Sequence, residues 1–337
     1  MSESTRRREV GRGERVVPGV WRLRLPLPWP GVPHCNAWAL AAGDGIVLVD
    51  TGMHEPGSLG HLERALQQVG LKIEHVRLLV CTHAHADHYG QAAAIVDRAG
   101  CELWMHPRHE HMLKYASDPE AAMEARIQTA LQSGVPEAPL RKLMEERKDA
   151  GTGIERIVTP DRDLVPGVEI QTDLGTWTVH ETPGHAPSHV CLFQPDKRML
   201  ISGDHLLGRV SLYYDFGYTP DPAGEFLRSL DVVDALDARL CLSGHGRTFT
   251  DVRAHVEANR TTVQARLARV EEVLREHGPI TAFDALPHVY GKPVTPITAS
   301  WWLSETLSYL THLAVLGRAE RESGEPAERW KVASAQP

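Results

Sequence analysis

Residues 81–90 read CTHAHADHYG and follow VRLLV, an apolar run with the length and content of a buried strand. His83, His85, Asp87 and His88 therefore stand where a strand ends and a loop begins, anchored on one side and free to converge on the other. Four side chains with metal-ligand chemistry fall within six residues. The chain has 19 histidines in 337 residues. At that density, three His and an Asp at these offsets arise by chance in roughly one chain of several hundred. The alternative reading, hydrogen-bonded loop residues, requires that the rest of the chain offer no matching ligands.

The rest of the chain does offer them. TPGHAPSH at 182–189 sets His185 on a Pro/Gly turn after the strand-like TWTVHE, ISGDHLL ends an apolar run with Asp204, and CLSGHGR ends another with His245. Each lies just past a strand-like segment, so separate strands of one sheet can bring them to a common edge. Neutral imidazoles suit zinc and its neighbours, and carboxylates add the charge that favours a divalent ion. Seven ligands suffice for two ions and leave coordination positions for water, unlike a closed structural site.

Outward from these segments, the pattern from residue 16 is short apolar runs split by Gly and Pro, which predicts a meander of antiparallel strands. Residues 59–69 have helical spacing, 76–81 read as a strand and 91–99 as the next helix. A Met-, Ala- and charge-rich stretch, about 107–156, predicts a helical insertion that serves as a lid, a contact surface or simple packing on its sheet. GVEIQT, TWTVHET, HVCLFQ, RMLISGD and RLCLSG form a second set of strands. Two sheet-forming halves with helices outside imply an α/β class and a layered αββα sandwich over 16–251.

A boundary falls near 252, where Val256, Val263, Leu267, Val270 and Leu274 take up helical spacing. Two further helices and a hairpin over GRAERESGEPAERWKV complete 252–337, suggesting a small winged-helix-like domain with its own core. Residues 1–15 are expected to be a flexible basic tail. Trp301 and Trp302 suggest a contact surface, hence a homodimer, although neighbours on a helix point about 100° apart and one of the two can be core.

With 42% hydrophobic and 24% charged residues the chain reads as globular. A net charge of −8 and the absence of a long Lys/Arg run argue against a nucleic-acid partner. No apolar stretch has the length of a signal peptide or membrane span. Five widely spaced cysteines without a CxxC pair read as buried reduced thiols, so a cytoplasmic location is expected.

VDTG at 49–52, THAHADH at 82–88, TPGHAPSH, SGDH at 202–205 and SGHG at 243–246 resemble, in order, the five motifs of the metallo-β-lactamase superfamily. The resemblance implies His83, His85 and His185 on one metal, Asp87, His88 and His245 on the other, and Asp204 bridging them. It places Asp50 just outside, fixing the loop that carries the His ligands; His189 is expected beside it, satisfying backbone groups. Asp204 and His245 resemble the glyoxalase II branch, and the C-terminal extension resembles the lactamase-beta-like subgroup, some members of which are endoribonucleases. True β-lactamases of this fold usually carry Cys where Asp204 stands.

The expected function is hydrolysis of a thioester, ester or lactone of a small molecule by a hydroxide bridging two metal ions, zinc first and iron or manganese in its place. Asp87 and Asp204 carry the chemistry. The alternatives are single-stranded RNA cleavage and a non-catalytic metal-containing scaffold. Tyr213, Tyr214 and Tyr218 on the loop after Asp204 either line a substrate pocket or close the core.

Overall fold

The computed structural model describes residues 10–29, 31–147, 151–296 and 298–334. Strands β1 (Arg12–Val17), β2 (Val20–Trp29), β3 (Val32–Ala42) and β4 (Gly45–Val49) form the antiparallel meander. Helix α1 (Ser58–Gln68) returns the chain so that β5 (Val76–Cys81) pairs parallel with β4. Helices α2 (Ala86–Tyr89) and α3 (Ala92–Ala99) then lead to β6 (Glu102–Met105), parallel to β5. The insertion follows as α4 (Glu110–Ser117), α5 (Pro119–Gln132) and α6 (Glu137–Arg147), before the short β7 (Arg162–Asp163) adds to β6.

A second sheet has the order β12-β11-β10-β9-β8. Its strands are β8 (Glu169–Thr172), β9 (Gly175–Glu181), β10 (Val190–Gln194), β11 (Met199–Gly203) and β12 (Leu240–Ser243). Helix α7 (Pro222–Ala235) crosses between β11 and β12, which run parallel.

Period-two alternation sorts these strands into layers. In β4, Ile46 and Leu48 pack under Leu62, Leu66 and Ile95 of α1 and α3, whereas Val47 and Val49 face the other sheet. In β10, Val190 and Leu192 face inward and Cys191 and Phe193 meet Phe226 and Leu230 of α7. Strands buried on both faces read as continuous apolar runs, and here they form the two middle layers of an αββα sandwich. All five cysteines are unpaired and buried.

The C-terminal segment comprises α8 (Val252–His277), α9 (Ala282–Tyr290), α10 (Ala299–Val315) and the hairpin β13 (Ala319–Glu322) and β14 (Arg329–Val332). The expectation of a separate core for it is corrected. Val256, Val263, Leu267, Leu310 and Leu313 belong to one apolar cluster with Cys191, Phe226 and Leu230. The stripe on α8 marks a buried face, but spacing alone does not say which partner covers it.

The flexible tail expected over 1–15 is also corrected in its second part, since β1 begins at Arg12; residues 1–9 lie outside the described residues. Glycine explains the strand. A Cβ at Gly11 or Gly13 would collide with the backbone carbonyls of His61 and Ala65 on α1, and the Gly13 N–H donates to Gln68 Oε1 at 2.9 Å. No helix among the described residues is long and apolar enough to cross a membrane.

Two contacts join the sheets at one edge. The N–H of Asn36, on β3, donates to Gly244 O at 2.7 Å and its side-chain amide to Ser243 O at 2.8 Å, while Val190 N–H donates to Thr82 O at 2.9 Å. The ends of β5, β10, β11 and β12 therefore meet at this edge.

Candidate metal centre

Asp50 organises the first group. Its φ of 65° is a left-handed conformation that a short polar side chain tolerates. The carboxylate takes the Thr82 N–H at 2.8 Å on Oδ1 and the His88 Nδ1–H at 2.8 Å on Oδ2. His88 Nε2 faces inward, 3.3 Å from Asp204 Oδ1 and 3.5 Å from Asp87 Oδ2. His245 donates its Nδ1–H to His34 O at 2.9 Å and turns Nε2 to within 3.1 Å of both Asp87 Oδ2 and Asp204 Oδ2.

The second group is three imidazoles. The Thr82 hydroxyl donates to Asp50 at 2.9 Å and so accepts the His83 Nδ1–H at 3.0 Å, leaving His83 Nε2 bare. His185 donates Nδ1–H to Tyr213 O at 3.1 Å. His85 has the opposite tautomer, with Nε2–H donated to Asp215 Oδ2 at 2.7 Å and Nδ1 turned inward. Both His83 Nε2 and His185 Nε2 lie 3.0 Å from His85 Nδ1. Asp204 Oδ2 stands 3.7 Å from His185 and 3.1 Å from His245, between the two groups.

The donor chemistry fits divalent cations. At a metal–nitrogen distance near 2.0–2.1 Å, tetrahedral ligand atoms lie about 3.3 Å apart, close to the separations seen here. His88 Nε2 and Asp204 Oδ1 are buried without a hydrogen-bond partner, an arrangement that disfavours folding unless a cation takes the lone pairs. Gly244 leaves the space: a Cβ there would run into Asp204 Oδ1 and approach His88 Cε1 to 2.8 Å.

Burial and charge compete at these groups. Burial, with neighbouring imidazoles, pushes His185 down to about 4 and His83 well below the ordinary range. Burial acts the same way on His245, but the Asp204 and Asp87 carboxylates outweigh it and raise this side chain to about 10. Both carboxyls resist their own burial because His88 and His245 hold them far below the usual carboxylate range.

All seven residues expected as ligands thus converge. His189 stands behind them, accepting the Asp204 N–H on Nε2 at 3.1 Å and donating Nδ1–H to Thr182 Oγ1 at 2.8 Å. The tyrosines divide. The Tyr213 ring lies 5.9 Å from His85 and 5.7 Å from His185, and the half-exposed Tyr218 lies 5.2 Å from His111. Tyr214 is corrected as a pocket residue: fully buried, it packs on Phe226 and Tyr309, because successive residues of an extended loop face opposite ways.

Two residues were not singled out by sequence reasoning. Asp215 takes the outer N–H of His85, and His111 of α4 reaches the same oxygen with Nε2 at 3.2 Å. Both are buried. The available signal was an acid in YYDFGY, on the loop that leaves Asp204.

Residues 30–245 match the family model described as the metallo-beta-lactamase superfamily. The probable metallo-hydrolase YqjP of Bacillus subtilis (strain 168) is 30% identical over 286 residues, which is 80% of this chain and 86% of that protein. An atrochrysone carboxyl ACP thioesterase of Aspergillus chevalieri is 23% identical over 82% of this chain and 75% of its own length. The crystal structure of a metallo-beta-lactamase family protein from Thermus thermophilus superposes with a TM-score of 0.80 at 29% identity, covering 94% of this chain and all 100% of that one.

Proposed function

The chain belongs to the metallo-beta-lactamase superfamily and is a hydrolase of that fold, and from this we propose that it cleaves a thioester, ester or lactone bond of a small molecule using two divalent ions. We assign His83, His85 and His185 to one ion, Asp87, His88 and His245 to the other, and Asp204 to both. The observation that carries the assignment is Asp204, whose carboxylate lies between the inward-facing Nε2 atoms of His185 and His245. The ions, zinc first and iron or manganese in its place, supply an activated water at neutral pH and an electrophile for the carbonyl oxygen.

The protein's own groups do the rest. Asp50, Thr82, Asp215 and the carbonyls of Tyr213 and His34 fix the five imidazole ligands in their tautomers, so little reorganisation accompanies reaction. Asp87 Oδ2, 3.1 Å from His245 Nε2, orients the attacking water and passes its proton to the leaving group. A serine nucleophile has no place in this scheme.

The carbonyl reading is favoured over RNA for two reasons. The C-terminal hairpin presents Glu320 and Glu322, with Lys331 engaged by both, where phosphate contacts need free cations. A relative at 23% identity is a thioesterase. The buried thiols fit a reducing compartment, so we place the protein in the cytoplasm.

The test is a parallel assay of metal-analysed protein on a thioester, a lactone panel and single-stranded RNA, with a chelated control. Chelator-sensitive release of thiol or acid with intact RNA supports the reading. RNA cleavage without carbonyl turnover replaces it, and no turnover by the metal-loaded protein points to a scaffold.

A further inference from the structure

A cleft of about 210 Å³ lies between the loop that follows β11 and helices α8, α9 and α10. Sites that enclose a whole drug-sized ligand run from roughly 300 to 1,000 Å³, so this cleft suits one part of a molecule. Its inner wall is fixed. The rings of Tyr290 and Trp302 stack at 4.3 Å and 4°, the Arg266 guanidinium lies 4.6 Å from the Tyr290 ring centre, and Arg266 Nε stands 3.9 Å from the buried Glu305 carboxylate.

Trp301 differs from its neighbour. It is 44% exposed, lines the cleft and stacks on nothing within it. Its ring centre lies 6.5 Å from that of Tyr213, which in turn is 5.7 Å from His185. Rings therefore run without a break from the cleft to the three-imidazole group, and Leu212, next to Tyr213 in the chain, lines the cleft as well.

We infer that this cleft is a subsite for a flat aromatic group of the substrate, stacked on Trp301 while the scissile carbonyl reaches past Tyr213 to His185 and His85. The inference rests on the carbonyl-hydrolase reading for its substrate but not for its test. Aromatic pairs prefer offset or edge-to-face contact at centroid separations of about 4.5–7 Å, and an exposed indole beside a small cleft offers such a face without displacing core residues. Arg266 and Glu305 neutralise each other across the wall, which favours an uncharged ring over an ionic group.

Direct binding separates the two readings, because it needs no turnover. The probes are 2-naphthoate and acetate, titrated calorimetrically into the metal-loaded protein; both carry a carboxylate, so their difference reports the ring. The expected result is at least tenfold tighter binding of 2-naphthoate, falling to within threefold of acetate in Trp301→Ala and recovering in Trp301→Phe. Equal affinity for the two probes in the unmodified protein, or full discrimination retained by Trp301→Ala, overturns the subsite. Failure to hydrolyse any ester leaves this measurement untouched and bears only on the proposed reaction.

Discussion

Asp215 accepts the Nε2–H of His85 at 2.7 Å, on the side of the ring opposite the nitrogen that faces His83 and His185. The contact decides which tautomer His85 adopts. Asp215→Ala removes that control and leaves His111 Nε2 facing the gap. Metal affinity of the three-imidazole group should fall by about 10- to 100-fold, with the fold retained. Metal titration followed by circular dichroism checks both parts, and undiminished affinity removes Asp215 from the account.

Asp204 faces both groups, so its loss should not be confined to one. Asp204→Ala is expected to lower bound metal from two equivalents and reduce kcat/KM by about a thousandfold, equivalent to several kcal/mol of transition-state stabilisation. Elemental analysis alongside kinetics decides the matter. A variant that keeps both ions and full turnover cannot be reconciled with a shared carboxylate.

Gly244 is neither strained nor left-handed, so alanine there is acceptable to the backbone. The methyl group would nevertheless press on Asp204 Oδ1 and on His88 Cε1. Gly244→Ala should therefore cost metal and activity at least tenfold while shifting the melting temperature of the metal-free protein little. A large loss of stability before any metal is added would mean that the position matters for folding instead.

The carboxylates raise His245 to about 10, so in the metal-free protein this imidazole is protonated at pH 7. A metal ligand must be neutral, hence cation uptake releases that proton, and affinity should rise with pH, by about tenfold per unit for each proton released, until pH approaches 10. Calorimetric titrations in buffers of different ionisation enthalpy count the protons. Affinity that is flat between pH 6 and 9 contradicts the assigned charge state.

Leu310 of α10 is fully buried in the cluster that also holds Phe226 and Cys191. Leu310→Ala should destabilise the chain by about 2–5 kcal/mol. Because the cluster spans the boundary expected near 252, unfolding should remain a single transition. Separate melting of the C-terminal helices, with the sandwich intact, would show that they form an independent unit.

The convergence of the seven His and Asp side chains was legible because each lies in a short local pattern at a strand end, and strand ends are what a layered sheet brings together. Asp215 was not, since its partner His85 is 130 positions away and nothing in YYDFGY distinguishes an acid that faces a ligand from one that faces water. Tyr214 could not be told from Tyr213 for a related reason: adjacent tyrosines share a composition but not a direction. The layering followed from alternation in β4 and β10. The shared core of α8 and α10 did not, because an apolar stripe announces burial without naming what it packs against. The strand at Arg12 hides in a glycine- and arginine-rich segment whose value lies in what it lacks, a Cβ beside α1.

Asn36 reaches from the first sheet to the last strand of the second, bonding Gly244 through its main chain and Ser243 through its side chain. The sheets therefore cannot slide or breathe apart at this edge without drawing His88, which follows β5 of the first sheet, away from Asp204, which follows β11 of the second. Amide exchange at Asn36 and the escape of bound ions should then share one opening event, which makes the slow leak of metal from the protein a measure of how firmly its two halves are held.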